Sequence, residues 1–171
     1  YGDILGYKAD LSKYFDSVNR ETLFDTLSKI CTDGDCVDCM ILNYYSDDRI
    51  LNEEKKYEHH YKSLAQGCSL STLLANLALY DIDEALSNLD ILYYRYSDDI
   101  LMIGKDAEKA RNLLEEMLKP KGLTLNPKKV KAIKKNEWFT FLGFKLKGNE
   151  ITFSDKSIER FKNKIKKICT R

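Results

Sequence analysis

Residues 93–103, with the sequence YYRYSDDILMI, decide the fold of this 171-residue chain. They belong to two runs rich in aromatic and branched apolar residues, 91–96 and 100–103, and such runs favour β-strands. The residues between the runs, Ser97-Asp98-Asp99, are of types that are common in turns. The pattern therefore predicts a tight β-hairpin that carries two carboxylates at its tip.

Upstream of the hairpin, the apolar periodicity predicts one strand and three helices. The strand covers residues 4–11, and the helices cover residues 19–31, 37–45 and 69–89, of which the last is the longest and most apolar. The polar residues 46–62 are typical of a hairpin or a loop.

Downstream of the hairpin, Asp106 is a candidate N-cap for a helix that ends near Leu118, because Pro120 and Gly122 follow. Short strands are predicted near residues 130–133, 139–146 and 151–153, and a basic helix over residues 155–169. This order predicts an α+β fold in which an antiparallel sheet is covered by helices on one face, similar to the ferredoxin-like or RRM-like core.

The charge of the chain is divided between its two parts. The total is +1, from 28 Lys/Arg and 27 Asp/Glu. Residues 1–118 contain 12 Lys/Arg and 23 Asp/Glu, a net charge of −11, whereas residues 119–171 contain 16 and 4, a net charge of +12. Because a polyanion responds to the local field rather than to the summed charge, the basic second part keeps nucleic-acid binding open.

The composition indicates one medium-sized domain with a core, because 43% of the residues are hydrophobic and only 2 are Pro. No stretch approaches the roughly 18 apolar residues of a membrane span. Five cysteines without a secretory signal are typical of reduced thiols in a cytoplasmic protein. The crowded Cys31, Cys36 and Cys39 supply only three of the four ligands of a structural zinc site, so ordinary helix-borne thiols are favoured. Since Tyr1 is not an initiator Met, we expect a fragment of a longer protein.

Three carboxylates are candidates for a metal site. Asp10 ends the predicted first strand, and Asp98 and Asp99 occupy the hairpin turn. Strand ends bring such groups together if the strands are neighbours. Because adjacent carboxylates repel each other, a divalent cation would neutralise the arrangement, and ligation by oxygen alone suits Mg²⁺ or Mn²⁺. The alternative is a solvated acidic turn.

The Tyr-x-Asp-Asp box at residues 96–99 is accompanied by four other blocks in a fixed order. They are residues 8–16 (KADLSKYFD), 66–77 (QGCSLSTLLANL), 122–129 (GLTLNPKK) and 139–144 (FTFLGF). Together, over residues 3–147, the five blocks resemble the palm domain of a reverse transcriptase, an RNA-directed DNA polymerase. The LLANL sequence resembles bacterial group II intron-like enzymes and related retroelement or defence-associated types.

The resemblance implies a two-metal nucleotidyl transfer that adds dNTPs to a primer 3′-hydroxyl. Asp10, Asp98, Asp99 and the backbone carbonyl of Leu11 would hold two Mg²⁺ ions, with Mn²⁺ as a substitute. Lys129 would protonate the pyrophosphate, with its neighbour Lys128 as a rival. A solvated basic face is the alternative for either lysine.

The resemblance also implies binding residues. Phe15 would select deoxynucleotides by excluding a 2′-hydroxyl, although core packing is the alternative role for this ring. Gln66 and Gly67 would contact the nucleotide and template. The residues implied for the hairpin that grips the primer are Phe141, Leu142 and Gly143.

The implied organisation is a palm over residues 1–153 and the possible start of a thumb over residues 154–171, with fingers and thumb supplied by the longer protein. The implied partners are an RNA template with a DNA primer and dNTPs, and we expect the fragment alone to be inactive or weak. A catalytically silent module that binds nucleic acid or a partner is the second hypothesis. A nucleotide cyclase is disfavoured, since Tyr96-Ser97 stand where its glycine-rich hairpin would lie.

Overall fold

The computed structural model describes residues 4–30, 34–36, 38–39, 49–59, 63–64 and 69–169. The strands are β1 (Ile4–Asp10), β2 (Arg49–Leu51), β3 (Tyr57–His59), β4 (Ile91–Tyr96), β5 (Asp99–Gly104), β6 (Lys131–Lys134), β7 (Phe139–Phe141), β8 (Phe144–Lys147) and β9 (Glu150–Phe153). The helices are α1 (Tyr14–Ser17), α2 (Arg20–Ile30), α3 (Ser69–Leu77), α4 (Tyr80–Ser87), α5 (Ala107–Leu118) and α6 (Asp155–Cys169), with a 3₁₀ turn over Lys119–Lys121. The α+β prediction is confirmed.

The main sheet has four antiparallel strands in the order β4-β5-β1-β6. The predicted hairpin is its outer half, and Tyr96 of β4 pairs with Asp99 of β5, so the connecting turn has only two residues. Strand β1 lies between β5 and β6, which are far from it in the sequence. The end of β1 is therefore adjacent to the tip of the hairpin.

Helices cover one face of this sheet. Strand residues Ala9, Ile100 and Met102 are fully buried in the core, together with Ile82 and Leu86 of α4 and further leucines of α5. Because side chains alternate along a strand, Ile100 and Met102 point to the same side. Burial of these apolar side chains is the main stabilising contribution.

A second sheet, β7-β8-β9, packs on the opposite face. Leu101 of β5, Ile133 of β6 and Phe141 of β7 form a smaller apolar cluster there. Both faces of β5 are thus covered. Helices cover one face of the main sheet as predicted, and the small sheet covers part of the other face. The predicted strand at residues 139–146 is a hairpin, with Leu142 and Gly143 as its turn.

The predicted single helix over residues 69–89 is wrong, because the structure divides it into α3 and α4. At the break, the carbonyl of Asn76 accepts a hydrogen bond from the N–H of Leu79, three residues later. The same carbonyl accepts a bond from the side chain of Arg95. Apolar periodicity does not reveal a tertiary contact that competes for a helix carbonyl. The apolar pattern therefore predicted one uninterrupted helix.

Other local predictions stand. Strands β2 and β3 form a hairpin inside the polar stretch 46–62, and α2 begins directly after Asn19 as predicted. Most of the predicted helix over residues 37–45 lies outside the described residues, as do Cys31 and Cys68. Cys36 and Cys39 are exposed. Within the described part of the chain, no helix combines the length and apolarity needed to cross a membrane.

Candidate active site

The three predicted carboxylates lie at one end of the main sheet. Asp10, the last residue of β1, is the register partner of Asp99, the first residue of β5. The N–H of Leu11 donates to the carbonyl of Asp98 at 3.2 Å, which ties the hairpin turn to the end of β1. Asp10 is only 4% exposed. The sheet register therefore brings together residues that are about ninety positions apart in the sequence.

The predicted Lys129 reaches the same place. Its ammonium nitrogen lies 2.7 Å from Oδ2 of Asp10. The loop that carries Lys129 is held by Asn126, whose N–H donates to the carbonyl of Asp10 at 2.8 Å and whose carbonyl accepts from the N–H of Lys129 at 2.9 Å. The hydrogen bond to Asp10 raises the pKa of Lys129 above its ordinary value. Of the two neighbouring lysines, it is the Lys129 ammonium that the structure places on the buried carboxylate.

A second lysine, Lys8, also lies near the carboxylates. Its ammonium is 4.0 Å from Asp99 and donates to the carbonyl of Thr140 in β7 at 3.1 Å. Burial raises the pKa of Asp99, Lys8 opposes the shift, and the neighbouring carboxylates Asp98 and Asp10 raise it further. Concentrated negative charge is thus costly at this sheet end, and the surrounding cations compensate for it only partly.

The carboxylates have donor atoms that are compatible with a divalent cation. Within the described ranges, no three His, Cys, Asp or Glu side chains meet the geometry of a metal-binding group. The donor chemistry nevertheless suits Mg²⁺, since the available ligands are oxygens. Moreover, Oδ1 of Asp10 is buried and has no hydrogen-bond partner among the residues that the structure describes. Because an unsatisfied buried carboxylate oxygen is expensive, this atom is well suited to accept a cation.

The other predicted binding residues are placed in different ways. Phe15 is half-buried, packs against the main core and meets the ring of Tyr14 edge-on at 5.9 Å. Its position is compatible with both the core role and the nucleotide role. Gln66 and Gly67 lie outside the described residues.

The predicted primer-grip residues form the β7–β8 turn. Phe141 is buried, and the ammonium of Lys8 lies 5.8 Å from the centre of its ring. Leu142 and Gly143 have φ values of 47° and 85°, the left-handed conformation of a two-residue hairpin turn. The carbonyl of Gly143 accepts bonds from the N–H of Ser154 and the hydroxyl of Ser157, both at 2.9 Å. These bonds anchor the start of α6 to the turn.

The family profile for "Reverse transcriptase (RNA-dependent DNA polymerase)" matches residues 2–146. The chain belongs to this reverse transcriptase family. A comparison with curated protein sequences finds no match. The resemblance based on the five sequence blocks is therefore confirmed at the level of the family.

Solved structures resemble this reverse transcriptase domain in fold. Apo telomerase from Candida tropicalis, truncated from its C-terminal domain, has a TM-score of 0.70 and 17% identity, and the match covers 86% of this chain and 35% of that one. Telomerase from Candida albicans, in complex with a TWJ fragment of telomeric RNA, has a TM-score of 0.67 and 15% identity, with 91% and 31% covered. The chain spans about a third of the length of these telomerases.

Sequence reasoning assigned no role to two residues of this reverse transcriptase site. Lys8 precedes Asp10 by two positions, so the two-residue period of a strand puts both on the same face and could have indicated it. Asn126 stands before Pro127, and an Asn-Pro pair is a turn signal. The residues that hold the turn of the hairpin, Arg95 and Asp83, carried no local signal either.

Proposed function

We propose that the chain is the palm of an RNA-directed DNA polymerase that adds dNTPs to a primer 3′-hydroxyl on an RNA template. Family membership already makes it a reverse-transcriptase-type polymerase domain. The observation that carries the proposal is the pairing of Asp10 with Asp99 at the sheet end where Lys129 also arrives. Acidic ligands and a cationic proton donor at one point suit phosphoryl transfer.

Asp10, Asp98 and Asp99 would hold two Mg²⁺ ions, or Mn²⁺ in their place, with the carbonyl of Leu11 as a further ligand. When bound, such ions lower the pKa of the primer hydroxyl and neutralise the charge of the departing pyrophosphate. Lys129 holds a proton on Nζ and is the residue proposed to give it to the pyrophosphate. A lysine with an ordinary pKa is already protonated at neutral pH, and the hydrogen bond to Asp10 raises the pKa of Lys129 further.

The remaining residues bind and orient the substrates. The ring of Phe15 is proposed to lie against the sugar of the incoming dNTP, and the turn at 141–143 to grip the primer. The basic residues 119–171 are suited to a primer–template backbone, because phosphate contacts dominate affinity for nucleic acid. On this proposal residues 1–153 are the palm and residues 154–171 begin the thumb.

The test is primer extension on an RNA template by the full-length protein with Mg²⁺. We expect extension by the wild type and none by Asp98→Ala. The matched control is Asp90→Ala, which removes an exposed carboxylate before β4 and is expected to leave extension unchanged. Equal extension by Asp98→Ala and the wild type would contradict the metal-site assignment.

A second measurement separates the alternative function. If the wild type binds primer–template without extending it, the catalytically silent module is the correct description. We expect the 171-residue chain alone to be inactive or weak, because it spans about a third of the telomerases it resembles. Robust extension by this chain would contradict the need for fingers and thumb.

A further inference from the structure

The turn that carries Asp98 is both strained and weakly supported by the sheet. Among the described strands, β4 lies at the edge of the main sheet and pairs with β5 alone. Ser97, the first of the two turn residues, has φ 55°. Residues other than glycine pay a free-energy cost for this left-handed conformation, and they keep it where the surroundings enforce it. A two-residue hairpin turn favours this conformation at its first position, and a side-chain contact from outside the hairpin ladder holds it in addition.

The side chain of Arg95 makes that contact. Its Nη1 donates to the carbonyl of Ser97 at 3.2 Å and to Oδ1 of Asn76 at 3.0 Å. Its Nε donates to Oδ1 of Asp83 at 2.7 Å, and Nη2 donates to the other oxygen of Asp83 and to the carbonyl of Asn76. All three guanidinium nitrogens are thus engaged, and the side chain is only 9% exposed.

The partners of Arg95 belong to a rigid part of the fold. Asp83 lies on α4, whose neighbouring residues Ile82 and Leu86 are buried in the main core. The hydroxyl of Tyr93 also donates to Asp83, at 2.6 Å, so the carboxylate is held from two directions. Asn76 lies at the end of α3, where its carbonyl is turned towards Arg95 by the break before α4. The guanidinium is therefore bound to residues of two helices, α3 and α4, as well as to the turn.

The conformation of Ser97 also affects the position of the candidate metal ligands. Asp98 follows Ser97 directly, and the carbonyl of Asp98 accepts from the N–H of Leu11, next to Asp10. A rotation of the Ser97 peptide would change the direction of the Asp98 side chain and weaken this link. A planar guanidinium suits the task, because its donors point in fixed directions.

We propose that Arg95 is a positioning residue that holds the Ser97–Asp98 turn, through Asp83 and Asn76, in the geometry that presents the carboxylates to a divalent cation. The inference rests on the proposed function for its catalytic consequence. The hydrogen bonds themselves are independent of it.

The test compares Arg95→Met and Arg95→Lys in the full-length protein with the matched control Arg111→Met. Arg111 also bonds two carboxylates, Glu108 and Glu115, but on α5 and away from the turn. Three quantities are measured for each variant: Mn²⁺ affinity by electron paramagnetic resonance, amide hydrogen exchange at Leu11, and kcat and KM in primer extension. The first two need neither primer nor nucleotide.

For Arg95→Met we expect Mn²⁺ affinity and kcat to fall about 10- to 100-fold, the range typical of lost support for metal ligands. We expect the KM for primer–template to stay within about two-fold, since a positioning residue touches no nucleic acid. Exchange at Leu11 is expected to accelerate. Arg95→Lys keeps the positive charge but loses the planar guanidinium with its fixed donors. Its Mn²⁺ affinity, kcat and Leu11 exchange rate should therefore lie between those of Arg95→Met and the wild type. Arg111→Met should leave all three quantities unchanged.

Wild-type Mn²⁺ affinity and Leu11 exchange in a folded Arg95→Met protein would overturn the inference, as would equal losses in Arg111→Met. Full recovery by Arg95→Lys would also overturn it, because charge alone would then suffice. If Arg95→Met does not fold, Arg95→Lys decides by the same readouts. A wild type that extends no primer counts against the proposed function, and one that binds no Mn²⁺ counts against the metal site. In both cases Leu11 exchange still decides the role of Arg95.

Discussion

The ammonium of Lys129 lies 2.7 Å from a carboxylate oxygen of Asp10, although 119 positions separate the two residues. Strand β1 ends at Asp10, and the loop that Asn126 fastens to the same residue delivers Lys129. The Lys129 ammonium thus lies beside the most buried of the three candidate carboxylate ligands. The pair joins the acidic first part of the chain to its basic second part.

This contact predicts different effects for the two neighbouring lysines. We expect Lys129→Met to lower kcat in primer extension about 100-fold, because a positioned proton donor contributes on this scale. Lys128→Met should change kcat by less than about two-fold. Single-turnover measurements with saturating dNTP check both variants. A larger loss in Lys128→Met would transfer the proposed role to that residue.

The buried oxygen of Asp10 predicts stabilisation by metal. A ligand that binds only the folded state stabilises it by about 1.4 kcal/mol at ten times its Kd. We expect Mg²⁺ to raise the melting temperature of the wild type by a few degrees and to leave that of Asp10→Asn unchanged. The control is Asp81→Asn, which removes a carboxylate that pairs with Lys121 outside the site. An equal Mg²⁺ response in Asp10→Asn would contradict the assignment.

The close approach of β1 and β5 at Gly6 leaves no space for a larger side chain in the main sheet. A Cβ added there would lie 2.8 Å from Cα of Ile103 and closer still to the carbonyl of Met102, so the backbone of β5 would have to move. We expect Gly6→Ala to lower the free energy of unfolding by roughly 2–4 kcal/mol, measured by urea denaturation. Gly34→Ala is the control, since an added Cβ would meet none of the described residues within 4 Å. A loss of unfolding free energy below about 0.5 kcal/mol for Gly6→Ala would contradict this packing limit, because β1 and β5 would then accommodate the added methyl group easily.

Asp155 predicts a pH dependence at the start of α6. Its hydrogen bond with Lys145, at 2.8 Å, lowers the pKa of the carboxyl below the ordinary 3.8. Because the folded pKa is depressed, the pair stabilises the fold above pH 3.8, and the contribution disappears as the pH falls through the folded value. Carbon NMR of Asp155 should give a midpoint below 3.8.

The same titration has a matched pair of variants. In Lys145→Met the midpoint of Asp155 should return towards 3.8, whereas Lys147→Met, two residues further along β8, should leave it unchanged. An unshifted Asp155 in the wild type would mean that solvent screens the pair completely.

Local patterns predicted much of the secondary structure. The hairpin at residues 91–104 and helices α2, α5 and α6 follow from periodicity and end signals, which act between near neighbours in the chain. The carboxylates of the candidate site were also identifiable, because they stand in two of five blocks that occur in a fixed order. The fold class followed from the order of the elements.

The break between α3 and α4, by contrast, depends on Arg95, which approaches Asn76 from another element. The position of Lys8 between Asp99 and Thr140 depends on the second sheet. Neither contact leaves a periodic signal, because each joins residues that are distant in the sequence.

Residue type and local spacing were enough to identify the family, the candidate carboxylates and most of the element boundaries. The pairing of Asp10 with Asp99, the contact of Lys129 with Asp10 and the contact of Arg95 with Ser97 are visible in the folded chain alone. The reason is physical: strand register and charge pairing are set by packing in three dimensions, where residues far apart in the chain compete for the same partner.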